Sequence, residues 1–106
     1  MKIVKKNRVF KPSASAPPIK DCAKISLLKN EQVTFLSFGS EYDFCKKSWG
    51  FYASPSINDR LKIQGFKCYI IENKSNKKYF VVVNNSKNKI FKKFLKNTNH
   101  KILEKL

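Results

Sequence analysis

Ser54, Ser56, Asn58 and Arg60, preceded by Trp49 and Tyr52, are the residues of this chain whose types and spacing could do the most chemistry. Two hydroxyls, an amide and a guanidinium close together supply hydrogen-bond donors. Placed at a helix N-terminus, whose free N–H groups also seek partners, such donors suit a phosphate or a carboxylate. Aromatic rings beside hydroxyl-recognising groups suit a sugar. The segment predicts that helix: Pro55 fits the first helical position with Ser54 as N-cap, and Gly65 fits the stop. A helix over about Pro55 to Gln64 puts Ser56 and Arg60 on one face and turns Ile57 and Leu61 to the core. The expectation is a site for an anionic or hydroxyl-rich small molecule, with Trp49 buried against the sheet as the anchor of the loop. The competing expectation ties Arg60 to Glu41 or Asp43 in a structural ion pair.

No catalytic set accompanies these residues. His100, the one histidine, has no identifiable nucleophile and acid to work with. Glu41 and Asp43 alternate onto one strand face as paired carboxylates do, and a solvated hairpin face accounts for them equally well. Cys22, Cys45 and Cys68 are odd in number, widely spaced and without a C-x-x-C, which argues against a disulfide framework and a zinc site. Cys45 and Cys68 fall in strand patterns and read as core. The residues imply no enzyme, metal or cofactor.

Charge opens a second class of function. The 106 residues carry 23 basic against 7 acidic side chains, a formal charge of +16. Lysines that neutralise phosphates gain affinity by releasing counterions, so a non-specific nucleic-acid-binding protein is the alternative reading. Its lysine face would be Lys89, Lys92, Lys93 and Lys96, opposite an arc of Ile90, Phe91, Phe94 and Leu95 on a helix over 86–97. Only Arg8 and Arg60 are arginine, although arginine is the usual bidentate reader of phosphates and guanine edges. A chain rich in Lys, Asn and Ile is also what AT-rich coding produces at permissive positions.

The elements that must position these groups follow from periodicity and turn residues. Lys2 to Phe10 reads as an edge strand and Lys11 to Pro18 as a Pro/Ser-rich linker, giving an N-terminal arm over 1–22 and a domain over 23–106. Strands are expected over Ala23 to Leu28 and Gln32 to Phe38, then over Glu41 to Lys47 after a turn at Gly39-Ser40. Phe66 to Glu72 and Lys78 to Val83 are apolar on both faces and read as central strands. Ser86 caps the second helix, and His100 to Leu106 forms a last strand. The sum is an α+β fold, a single small domain with a mainly antiparallel sheet and two short helices. No apolar run approaches the ~20 residues of a membrane span. The basic start lacks the apolar stretch of a secretory signal, so the expected compartment is the cytoplasm.

The run Glu41-Tyr42-Asp43, the segment Lys47 to Asn58 with Arg60-Leu61, and Gly65-Phe66-Lys67 resemble a small family of uncharacterised bacterial proteins with a WGFYA[ST]PS-type motif. That family is associated with genes for surface polysaccharide and sialic-acid-like sugar biosynthesis. The resemblance spans residues 31 to 106, and departs where this chain has Asp59 in place of a frequent glycine. It implies an accessory or ligand-binding protein linked to cell-surface sugar assembly, with no established activity.

Overall fold

The structure, a computed structural model, describes all 106 residues. Its strands are β1 (Lys2–Phe10), β2 (Ile19–Ser26), β3 (Gln32–Ser37), β4 (Ser40–Lys47), β5 (Gly50–Ala53), β6 (Phe66–Glu72), β7 (Lys78–Asn84) and β8 (Lys101–Lys105). Between them lie helices α1 (Arg60–Ile63) and α2 (Asn88–Asn97). Strand makes up 51% of the chain and helix 16%, counting the 3₁₀ turn Asn85–Lys87 that leads into α2, so the expected α+β fold is corrected to a predominantly β one. The expected sheet is instead three small ones, β1-β2, β3-β4-β5 and β7-β6-β8. No helix is long and apolar enough to cross a membrane.

The chain divides into two compact units, Met1–Val33 with Cys45–Tyr52, and Thr34–Phe44 with Ala53–Leu106. In the first, β1 and β2 form an antiparallel ribbon joined by the Pro/Ser-rich stretch, with a register shift between Lys5 and Arg8. No residue of this unit is buried. Polar contacts hold it instead. Asp21 takes Lys6 at 2.8 Å and Arg8 at 3.4 Å. Glu31 accepts from the Leu28 backbone N–H at 2.7 Å and pairs with the N-terminal ammonium at 3.0 Å. These partners hold both carboxyls below their ordinary pKa values: Lys6 above all for Asp21, the Leu28 N–H above all for Glu31.

The second unit holds every buried side chain, and all but Ser40 and Pro55 fall in two clusters that lie on opposite faces of β6. Successive strand residues point to opposite faces. Phe66 and Cys68 therefore join Tyr42 and Leu61 on one side. Tyr69 and Ile71 join Val83 on the other, covered by Phe91 and Leu95 of α2. Burial on both faces is why the Cys68 to Ile71 run of β6 is apolar without a break, while Lys67 before it is exposed. The β7 segment reads the same way but lies at the sheet edge, with Lys78, Tyr79 and Phe80 exposed. Only β6 is central, which corrects half of that expectation.

Two connections differ from the expected ones. The β3–β4 turn is Phe38-Gly39 rather than Gly39-Ser40, with φ of +49° and +77°. Two consecutive left-handed residues match the twist of a tight hairpin, a position that favours Asn-Gly. A phenylalanine there carries about 1–2 kcal/mol of left-handed strain. Its ring lies under the Lys87 ammonium at 4.6 Å, a contact worth about 0.5–1 kcal/mol at an exposed site. The strain exceeds the contact, so Phe38→Asn is expected to raise stability by up to about 1 kcal/mol, read as a higher melting temperature. A lower melting temperature would show that the ring contact wins.

The second difference is α1, a single turn instead of a helix from Pro55 to Gln64. The Ser54 N–H donates to the Asp43 carbonyl at 3.0 Å, continuing the β4–β5 contact, and Pro55 is buried. The N-cap of α1 is Asp59 rather than Ser54, with no side-chain cap, and the turn is braced by Ser56. Its hydroxyl accepts from the Arg60 N–H at 3.1 Å, and its carbonyl accepts from the Leu61 N–H at 2.9 Å. Gly65 closes the turn as expected, at φ +85°.

Candidate functional site

The six residues of the expected small-molecule site fall in both units. Trp49 and Tyr52 belong to the first, and Ser54, Ser56, Asn58 and Arg60 to the second. In the second unit Ser54, Ser56 and Arg60 already have intramolecular roles. Asp43 lies on β4 with both carboxylate oxygens used: Thr34 donates its hydroxyl to one at 2.6 Å, and Arg60 donates from Nη2 to the other at 3.1 Å. The guanidinium is thus in the ion pair weighed against ligand binding. Ser56 Oγ is engaged by the first N–H of α1, and Asn58 is exposed in the preceding turn. One turn of helix supplies neither the aligned dipole nor the row of free N–H groups that an anion site needs. Since the Arg60 side chain is half exposed, Arg60→Lys is expected to change stability by less than about 1 kcal/mol, the usual worth of a surface pair. Unfolding of that variant would make the pair a structural keystone.

Trp49 is 70% exposed, against the expectation of a buried anchor. It stands in the β4–β5 turn, where Gly50 takes φ +144°, and the segment read as an aromatic loop continues as β5. Its indole meets the Tyr52 ring edge-on, with centroids 6.4 Å apart. Tyr52 and Phe51 are also exposed, on opposite faces of β5 because they are consecutive. The Lys46 ammonium lies 5.5 Å from the Phe51 ring centroid and donates to the Lys47 carbonyl; Lys47 donates to Asn30 Oδ1 at 3.1 Å. Both lysines are half-buried, and neither meets a carboxylate. Sequence reasoning passed over Phe51, Lys46 and Lys47. The signal was the run Lys-Lys-Ser-Trp-Gly-Phe-Tyr, a basic pair followed by aromatics around a turn glycine.

The charge is spread over both units. The first has ten basic residues against two acidic, the second thirteen against five, a balance of +8 each. Only Lys6, Arg8, Arg60 and Lys101 pair with a carboxylate side chain, which leaves 19 of the 23 without one. Lys89, Lys92, Lys93 and Lys96 are exposed on α2 as expected. The apolar arc behind them is only partly covered: Phe91 and Leu95 pack on the sheet, whereas Ile90 and Phe94 remain exposed.

His100 lines an open, polar cleft of about 400 Å³ with Glu72, Asn73, Lys74, Asn76, Asn99 and Lys101. Thr98 gives its hydroxyl proton to the Phe94 carbonyl, so its oxygen accepts from His100 Nδ1 at 2.7 Å. The ring stacks on Phe94 and meets Tyr79 edge-on, and the hydroxyl it bonds, that of Thr98, has its proton committed to the Phe94 carbonyl rather than to the imidazole. Burial pushes the Cys68 thiol up, away from the reactive thiolate, as expected of a core cysteine. No group of three or more His, Cys, Asp or Glu residues is brought together in a form that could hold a metal ion.

No protein-family model, curated protein or solved structure matches the chain.

Proposed function

We propose that this protein binds nucleic acid through its uncompensated lysines. The observation that carries the reading is the 19 basic residues with no carboxylate partner, distributed over both units. Charges left unpaired create a positive potential over the surface, and a polyanion lowers its free energy there by shedding condensed counterions. Lysine in place of arginine makes the contacts point charges to phosphate, so the binding is insensitive to base sequence. The small-molecule reading draws less support, because Arg60 is held by Asp43 and α1 offers a single turn.

Fluorescence anisotropy with labelled single-stranded and duplex oligonucleotides at low salt tests the reading, with a neutral dextran of similar size as control. Binding to nucleic acid and not to dextran is the expected result. Absence of binding to both oligonucleotides at low salt overturns it.

A further inference from the structure

We infer that the preferred nucleic acid is single-stranded, and that Trp49 and Tyr52 are its stacking platform, with Lys47, on the Tyr52 side of the hairpin by strand alternation, as a phosphate contact. The inference rests on the nucleic-acid reading and names the substrate class at one place in the first unit.

Four observations meet there. Trp49, Phe51 and Tyr52 are 70%, 64% and 50% exposed within four consecutive residues, an unusual density of open aromatic surface. Trp49 and Tyr52 already hold each other edge-on, so their rings are oriented before any ligand arrives. Lys47 precedes them on β4, tethered to the neutral Asn30 Oδ1 with no carboxylate cancelling its charge, while Lys46 lies over Phe51 on the other face. The unit they belong to carries +8 and has no buried core that would take up the rings.

Exposed rings beside ammonium groups are what unpaired bases need, since every base presents a π-face and every nucleotide a phosphate. In a duplex those faces are hidden in the base stack, and the rings would gain nothing. A second copy of the chain is a poor occupant, because two surfaces of +8 repel. An anionic membrane is disfavoured by geometry: Phe51 and Tyr52 leave β5 on opposite faces, so the aromatics do not form the one continuous apolar face that lies in a bilayer interface.

Trp49 is the only tryptophan, so its fluorescence reports on this site alone. Oligothymidine is titrated into the protein at low salt, alongside a duplex of equal length and vesicles containing phosphatidylserine. Labelled oligonucleotides give affinities by anisotropy. The expected result is saturable quenching by oligothymidine, with single-strand affinity above duplex affinity. Trp49→Ala and Tyr52→Ala should each weaken single-strand binding roughly 5- to 100-fold while leaving the duplex and the salt slope unchanged. Trp49→Phe keeps a stacking ring and should retain most of the affinity, which separates loss of stacking from misfolding. Lys47→Ala should lower the salt slope by about 1. Equal binding of both nucleic acids, without quenching and without effect of Trp49→Ala, overturns the platform and leaves the nucleic-acid reading standing. Quenching by vesicles and not by oligothymidine overturns it in favour of a membrane surface. Binding to neither nucleic acid sinks the underlying reading itself.

Discussion

Leu61→Ala is expected to destabilise the protein by about 2–5 kcal/mol, while Ile63→Ala, two residues away, should stay within about 0.5 kcal/mol. Leu61 is 0% exposed and fills the centre of the cluster with Tyr42, Phe66 and Cys68; Ile63 is 78% exposed on the far side of the same turn. Removing a fully buried isobutyl group loses its transfer free energy and leaves a cavity that rigid β neighbours close only in part. Only seven hydrophobic residues are buried, so one site holds an unusually large share of the core. Against a typical total of about 5–15 kcal/mol, such a loss leaves a substantial unfolded fraction. Urea unfolding followed by circular dichroism measures it for both variants. Trp49→Ala belongs with Ile63→Ala here: an indole this exposed should cost far less than the ~3–5 kcal/mol of a buried aromatic. Equal losses for Leu61→Ala and Ile63→Ala would show that the cluster is not the core.

Raising salt fourfold, from about 50 to 200 mM, is expected to weaken binding to single strands roughly 300-fold if about six lysines neutralise phosphates. That factor follows from counterion release, with a slope of about −0.7 per contact on single strands. Eight basic residues of the first unit lack a carboxylate partner, namely Lys2, Lys5, Lys11, Lys20, Lys24, Lys29, Lys46 and Lys47, so six contacts are available without drawing on the second. Mixed-sequence and homopolymeric strands should show the same slope, because point charges on phosphate carry no base information. A complex that is tight at physiological salt and selective for one sequence would contradict a lysine-driven mechanism and demand base readout. A slope near zero would contradict phosphate contact altogether.

Features that depend on a few neighbouring residues were legible in the amino-acid order. The apolar runs of β6 and β7, the amphipathic period of α2, the closing glycine of α1 and the strand after His100 lie where alternation and turn chemistry place them. Composition likewise carried the charge, and with it the nucleic-acid alternative. Long-range contacts decided the rest. The length of α1 was set against local preference: pairing along β4 draws in the Ser54 N–H, and the proline read as a helix start is buried instead. That one loss of helix removes the N-terminal donors on which the small-molecule site depended, and helps make a predominantly β fold of an expected α+β one. The choice for Arg60 between ligand and ion pair was also tertiary, because Asp43 lies seventeen residues earlier and reaches it only once β4 is formed. The exposure of Trp49 was the least legible of all. A tryptophan's size argues for burial, but burial needs partners from elsewhere in the chain, and those of this unit form a two-stranded ribbon with nothing buried.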